Sequence, residues 1–301
     1  MSFRAENYPH TGPHAWLDQP DALERIDEKL ARGELTDEEA AHCKHWAEQG
    51  YVILPGLIEV PLLTAVWASY EHAIAKGKLQ LPVERAAEDD PHPGRFLNPH
   101  KKAGDFCQVL KHPALARWMR TLLERNARPL QTIASHKGSQ QGVHSDSIHM
   151  TTFPLGYLTA AWIAFEDIHP DSGPLVYYPG SHKLPYVFSK DVNISEENFR
   201  EEGYTPYHAR YEPHIQKLIE QHGLQAKHFH AKKGDVLIWH ANLLHGGSAR
   251  RNMALTRKAL VCHFYGKGVF VYHDLSASRS KQQYLATCLL RDRTGLPLLK
   301  R

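Results

Sequence analysis

Cysteine is scarce in this chain of 301 residues: Cys43, Cys107, Cys262 and Cys288 stand far apart and form no CxxC pair. Such spacing gives neither a zinc knuckle nor a disulfide framework, and the four read as free thiols of a reducing compartment. Long apolar runs are missing as well. No window approaches the roughly 18 apolar residues of a membrane-spanning helix, and the opening Met-Ser-Phe-Arg-Ala-Glu-Asn-Tyr-Pro-His has no apolar stretch of signal-peptide type. A cytoplasmic protein with no membrane partner is the expectation. Excess charge is lacking too. Thirty-six Lys and Arg against 33 Asp and Glu leave +3, too balanced for the basic footprint of a nucleic-acid partner. No internal repeat or low-complexity tract appears.

What is abundant is histidine, 22 residues in all, which raises the expectation of metal chemistry without locating it. The location comes from Gln140 to Met150, Gln-Gln-Gly-Val-His144-Ser-Asp146-Ser-Ile-His149-Met. On a strand, alternate side chains point the same way, so His144 and Asp146 would project from one face. An imidazole and a carboxylate suit a borderline divalent ion, and one more histidine completes the 2-His-1-carboxylate set of non-haem Fe(II) oxygenases. Two histidines compete for that place in Val-Leu-Ile-Trp-His240-Ala-Asn-Leu-Leu-His245-Gly-Gly-Ser248. His245 is favoured because the adjacent glycines let the backbone approach a bound group; His240 reads as a packed strand residue. Arg257 lies among apolar neighbours on a later strand, where a permanent charge needs a carboxylate, from the protein or from a ligand.

Along the chain, residues 1–35 form an irregular and helical lead-in. Thr36 and Glu39 make a capping box for a helix that Gly50 ends, Tyr51 to Leu54 a short strand, and Pro61 opens a helix stopped by Gly77. A proline-rich loop spans 79–106, and Pro113 opens another helix. From residue 128 the pattern becomes short β-branched and aromatic runs, 129–135, 157–165, 175–178, 235–240 and 255–265, split by turn residues. The reading is one domain, 1–301: a helical part over 36–127, an all-β core over 128–266 with an insert at 184–227, and a basic tail over 267–301. Such inserts cover ligands at barrel mouths, and Tyr204, Tyr207 and Tyr211 are candidates to touch one. His149, His182 and His263 receive no role; His263 reads as core-facing or satisfied by backbone.

The chain resembles the phytanoyl-CoA dioxygenase family of Fe(II)/2-oxoglutarate-dependent oxygenases. The likeness rests on Gly138 to Asp146, Ala161-Trp162-Ile-Ala-Phe-Glu-Asp-Ile, Ser172 to Lys183, Gly234 to Ser248 and Arg257-Lys-Ala-Leu-Val-Cys-His-Phe, with a weaker stretch from Glu48 to Leu57. It implies a mainly β fold with flanking helices around a double-stranded β-helix (jelly-roll, cupin-like) core, and iron held by His144, Asp146 and His245. It further implies the distal carboxylate of 2-oxoglutarate on Arg257, Trp162 lining the co-substrate site, and hydrogen bonds from Ser248 and Lys102. A second glycine after His245 shifts Ser248 and Arg257 by one position relative to members with a single glycine. Related halogenases replace the carboxylate ligand by a small residue; Asp146 is present, so hydroxylation of a small molecule by O2 is the implied activity. Two further classes fit the ligand set alone: a metal-binding cupin without oxygenase activity, and a zinc hydrolase, which also keeps three protein ligands and an open position.

Overall fold

The computed structural model describes residues 3–8, 15–79, 90 and 92–279. Part of the expected proline-rich loop and the chain beyond Arg279, including Cys288, lie outside them. Twelve strands are present among these residues: β1 Tyr51–Leu54, β2 Phe96–Leu97, β3 Ala127–Ser135, β4 Thr151–Phe153, β5 Leu158–Ala164, β6 Leu175–Tyr177, β7 Lys227–Phe229, β8 Val236–His240, β9 His245–Gly247, β10 Ala259–Gly266, β11 Phe270–His273 and β12 Ser278–Arg279. Seven α-helices accompany them: α1 Ala22–Ala31, α2 Asp37–Gln49, α3 Val60–Ala75, α4 Phe106–Leu110, α5 Pro113–Leu123, α6 Glu196–Glu202 and α7 Glu212–Gln221.

Local chemistry sets the helix ends where the sequence places them. Thr36 accepts from the Glu39 amide while the Glu39 carboxylate accepts from the Thr36 amide, closing the capping box of α2, a device that contributes about 1 kcal/mol. Gly50, at φ +80, ends the helix, and a Cβ there would strike the His182 ring at 2.5 Å. Pro61 and Pro113 sit in the first turns of α3 and α5, where a missing N–H costs nothing.

The strands form the double-stranded β-helix. One sheet runs β1-β8-β5-β10-β3-β2, and two three-stranded sheets, β7-β6-β9 and β12-β11-β4, complete the roll. Every named strand pairing is antiparallel. Because side chains alternate across a strand, the six-stranded sheet sorts its residues by parity. Val52, Ala161, Ile163, Val236, Ile238, Leu260 and Cys262 join one hydrophobic cluster with Trp46, Leu63, Phe106 and Leu115 of the helices. Their neighbours Tyr51, Ala160, Trp162, Leu237, Trp239 and Ala259 face the opposite way, into the roll. The helices thus seal one face of the sheet and leave the other to enclose a cavity.

Two expectations need correction. The expected tail contains β11, which pairs with β4. Cys43 and Cys262 are free and buried, but Cys107 is disulfide-bonded. The insert holds, besides α7, the helix α6 and a π-helical turn, Tyr207–Tyr211. Among the described residues no helix is long and apolar enough to cross a membrane.

Candidate metal centre and co-substrate pocket

His144 and His245 face each other across an isolated antiparallel bridge, joined by reciprocal backbone hydrogen bonds of 2.9 Å. Directly opposed residues project to the same face, and the two imidazole centroids lie 4.5 Å apart. After His144 only Ser145 is extended, and Asp146 already opens a 3-10 turn. The motif therefore sits at a bridge followed by a turn, not on the strand expected; one extended residue suffices to point both ligands the same way. The donor atoms of His144, Asp146 and His245 lie within 4.8 Å of one another, and all three residues are buried.

Both histidines are fixed in one tautomer by the same device. His144 Nδ1 lies 2.8 Å from the Gly142 carbonyl and His245 Nδ1 2.9 Å from that of Leu243. A carbonyl only accepts, so each Nδ1 carries the proton and each Nε2 presents its lone pair to the shared space. Burial lowers both imidazoles, His144 far below its ordinary range, so that the neutral, metal-binding form prevails at neutral pH. For Asp146 burial opposes ionisation, yet His263 and His245 beside it hold the carboxyl well below the usual range. Its Oδ2 accepts from Trp239 Nε1 at 2.8 Å, and His263 Nε2 lies 3.2 Å from Oδ1. Neither residue was assigned to the site from sequence. The signal was strand parity: Ala259, Val261 and His263 share a face of β10, and Leu237 and Trp239 a face of β8.

The glycines after His245 serve the protein's own backbone. A Cβ at Gly246 would come 2.9 Å from the Gln141 carbonyl, and one at Gly247 2.3 Å from Ser139 Oγ and 2.7 Å from the Gln140 amide nitrogen. What presses on them is the segment leading into His144, not the bound group anticipated. His240 points elsewhere. Its Nδ1 accepts from the Asn242 amide and its Nε2 lies 3.4 Å from Asp18 Oδ2, beside a second cavity that the three ligands do not line.

The three ligands, Trp162 and Arg257 line one cavity of about 810 Å³, roofed by residues of the insert. Arg257 is 4% exposed. Its Nη1 donates to the Gly173 carbonyl, its guanidinium lies 5.7 Å from the Trp162 ring centre, and its Nε has no partner among the described residues. Nearby Arg250 is paired with Asp90, whereas no carboxylate of the described residues pairs with Arg257. Burial, with Arg95 and Arg250 close by, brings Arg257 down to about 10, still charged at neutral pH. A buried guanidinium without a counter-charge is expensive unless a ligand supplies one. Ser248 and Lys102 are not brought to this cavity: Ser248 Oγ donates to the Pro174 carbonyl at 2.7 Å, and Lys102 is exposed on the surface.

Comparison with known proteins agrees with this geometry. The family profile described as Phytanoyl-CoA dioxygenase (PhyH) matches residues 46–259. The peroxisomal phytanoyl-CoA dioxygenase of Rattus norvegicus is 26% identical over 268 residues, 81% of this chain and 72% of that protein; the match to the Homo sapiens protein, 28% identical, spans 42% of this chain and 34% of that one. The fold is shared with SnoK, a non-heme alpha ketoglutarate dependent carbocyclase from nogalamycin biosynthesis, at TM-score 0.59 and 18% identity over 89% of this chain and 95% of that one. It is also shared with EctD from S. alaskensis, at TM-score 0.62 and 16% identity over 89% and 88%, a protein solved as well with bound Fe and with 2-oxoglutarate and 5-hydroxyectoine. With a profile match over most of its length and a jelly-roll enclosing a His-Asp-His cluster, the chain belongs to the phytanoyl-CoA dioxygenase family.

Proposed function

We propose that this protein is an Fe(II)- and 2-oxoglutarate-dependent dioxygenase that hydroxylates an aliphatic C–H of a small organic molecule. The observation that carries the reading is the pairing, in one cavity, of three buried metal donors with a buried arginine that has no carboxylate partner among the described residues. A metal-binding cupin without oxygenase activity, or a zinc hydrolase, would leave Arg257 desolvated to no purpose.

His144 and His245 would hold the iron through Nε2 and Asp146 through a carboxylate oxygen, with Trp239 and His263 keeping that carboxylate turned toward it. Arg257 would take the distal carboxylate of 2-oxoglutarate on its planar fork, and Trp162 would wall the co-substrate's chain. Iron with 2-oxoglutarate and O2 supplies the oxidation, in which the co-substrate becomes succinate and CO2 and one oxygen atom enters the substrate. The chain's own contribution is to keep its ligands neutral and oriented, to neutralise the co-substrate, and to exclude bulk water with the insert.

Anaerobic titration of metal-free protein with Fe(II) and 2-oxoglutarate tests this through the visible charge-transfer band of the chelate. The band is expected in the wild type, lost in Asp146→Ala, and reached only at about 100-fold more 2-oxoglutarate in Arg257→Ala, where charge-assisted hydrogen bonds are removed. Iron binding without a band in the wild type would overturn the reading in favour of a non-oxidative cupin. Succinate formation from a substrate panel, with product analysis, then decides hydroxylation against other outcomes.

A further inference from the structure

Besides Arg257 Nε and both ring nitrogens of His263, two polar atoms lining the metal cavity have no hydrogen-bond partner among the described residues. The Tyr207 hydroxyl and His149 Nε2 are both buried without a hydrogen bond among the described residues, and both residues line the cavity that holds His144, Asp146 and His245. Their rings lie 5.0 Å apart at 41°. Unmade hydrogen bonds at buried groups cost about 1–3 kcal/mol each, and two on one wall of a ligand cavity call for a ligand that satisfies them.

Their positions are built, not incidental. His149 follows the ligand turn directly, its amide donating to the Asp146 carbonyl. Tyr207 begins the π-helical turn of the insert, a rare conformation that recurs at functional sites. It stacks on Tyr211 with centroids 5.0 Å apart. Tyr211 is anchored in turn: its hydroxyl accepts from the Ser145 amide at 3.1 Å and lies 3.2 Å from Ser145 Oγ. Ser145 stands between two metal ligands, so the insert is pinned to the metal-binding motif itself, and Tyr207 is held at a fixed distance from it.

We propose that Tyr207 and His149 form an oxygen-recognising subsite, and that the substrate carries an alcohol, carbonyl or carboxylate oxygen close to the carbon that reacts. The inference rests on the oxygenase reading and narrows its substrate class. The phenol donates to the substrate oxygen; a hydroxyl on the substrate can in addition donate to His149, which accepts or donates according to tautomer. The cavity carries apolar Met150, Phe199 and Leu275 together with polar Tyr204, His208 and Glu212, which leaves room for an aliphatic body that bears further polar groups. A site built to hydrogen-bond a substrate oxygen discriminates strongly against the analogue that lacks it. Tyr207 and His149 are thereby specificity residues.

The test uses protein loaded with Mn(II) and 2-oxoglutarate, and reads the paramagnetic relaxation of small probes by proton NMR: cyclohexanol, cyclohexanone and cyclohexanecarboxylate against methylcyclohexane. At least one oxygenated probe is expected to relax faster than the hydrocarbon, and Tyr207→Phe, which keeps the ring and its stacking, is expected to weaken its binding roughly fivefold, the worth of one neutral hydrogen bond. His149→Leu gives a second, independent removal of a polar atom. Equal relaxation of all probes, no relaxation of any oxygenated probe, or a pattern unchanged in both variants overturns the inference; the last would leave the orphan atoms to ordered water. Mn(II) affinity and its dependence on 2-oxoglutarate are measured in the same samples. If that dependence is absent, the oxygenase reading has failed; if it is intact and the probes do not discriminate, only the subsite has.

Discussion

Removing the Trp239 indole nitrogen tests how the metal centre is built. Trp239 Nε1 donates to Asp146 Oδ2 at 2.8 Å, with the two residues only 2% and 4% exposed. Trp239→Phe keeps an aromatic ring against His245, whose centroid lies 4.6 Å away, but leaves one carboxylate oxygen without its donor. A hydrogen bond to a charged group contributes about 1.5–3 kcal/mol. Two effects then oppose each other. The bared carboxylate attracts a cation more strongly, yet it is free to rotate, and Oδ1 no longer points by default at the histidine nitrogens. The carboxylate is charged and able to bind metal in both proteins, so the orientational loss dominates, and partners of metal ligands typically govern affinity by about 10- to 100-fold. The expectation is a rise of that size in the Fe(II) dissociation constant, about 1.4–2.8 kcal/mol. It is read by anaerobic competition with a chromogenic chelator, while the 2-oxoglutarate requirement at saturating iron stays as in the wild type. An unchanged iron affinity in a folded variant would refute the argument and reduce Trp239 to packing.

Two further outcomes follow from the same geometry. Gly247→Ala places a methyl 2.3 Å from Ser139 Oγ and 2.7 Å from a backbone nitrogen, so the segment carrying His144 must shift; Fe(II) titration should show weakened binding, and wild-type affinity would contradict the packing. Acid should destabilise the metal-free protein through buried histidines away from the metal ligands. Burial lowers His136 to about 4 and His182 to about 3 from 6.5, and for His182 the neighbouring His240 and Lys183 add to that while Asp18 opposes it. The unfolded chain therefore takes up these protons first, and stability present above pH 6.5 falls as pH drops toward about 4. Urea midpoints at neutral pH and at about pH 5 check the sign; equal midpoints would contradict it.

Much of the fold was readable because its signals are local. The capping box at Thr36, the prolines opening α3 and α5, and the β-branched runs of β3, β5, β8 and β10 are decided within a few residues by sterics and hydrogen bonding. β4 and β11 were not read, although β1 and β6 of the same lengths were; they are strands because they pair with each other. The ligand histidines and aspartate, and the unusual arginine on a strand, could be picked out from side-chain chemistry. Their convergence could not.

The sequence by itself determined which side chains can bind a metal, which charge would need a counter-charge, and where α2, α3 and α5 begin, because these are properties of residue types and near neighbours. The tertiary structure decided the rest. Bridge pairing brought His245 and not His240 beside His144, strand parity turned His263 and Trp239 toward Asp146, hydrogen bonds to the Pro174 carbonyl held Ser248 away from the cavity, and the pinning of the insert through Tyr211 brought Tyr207 beside His149. Each of these depends on which backbones hydrogen-bond to which across long stretches of chain, and no spacing within a single segment contains that information.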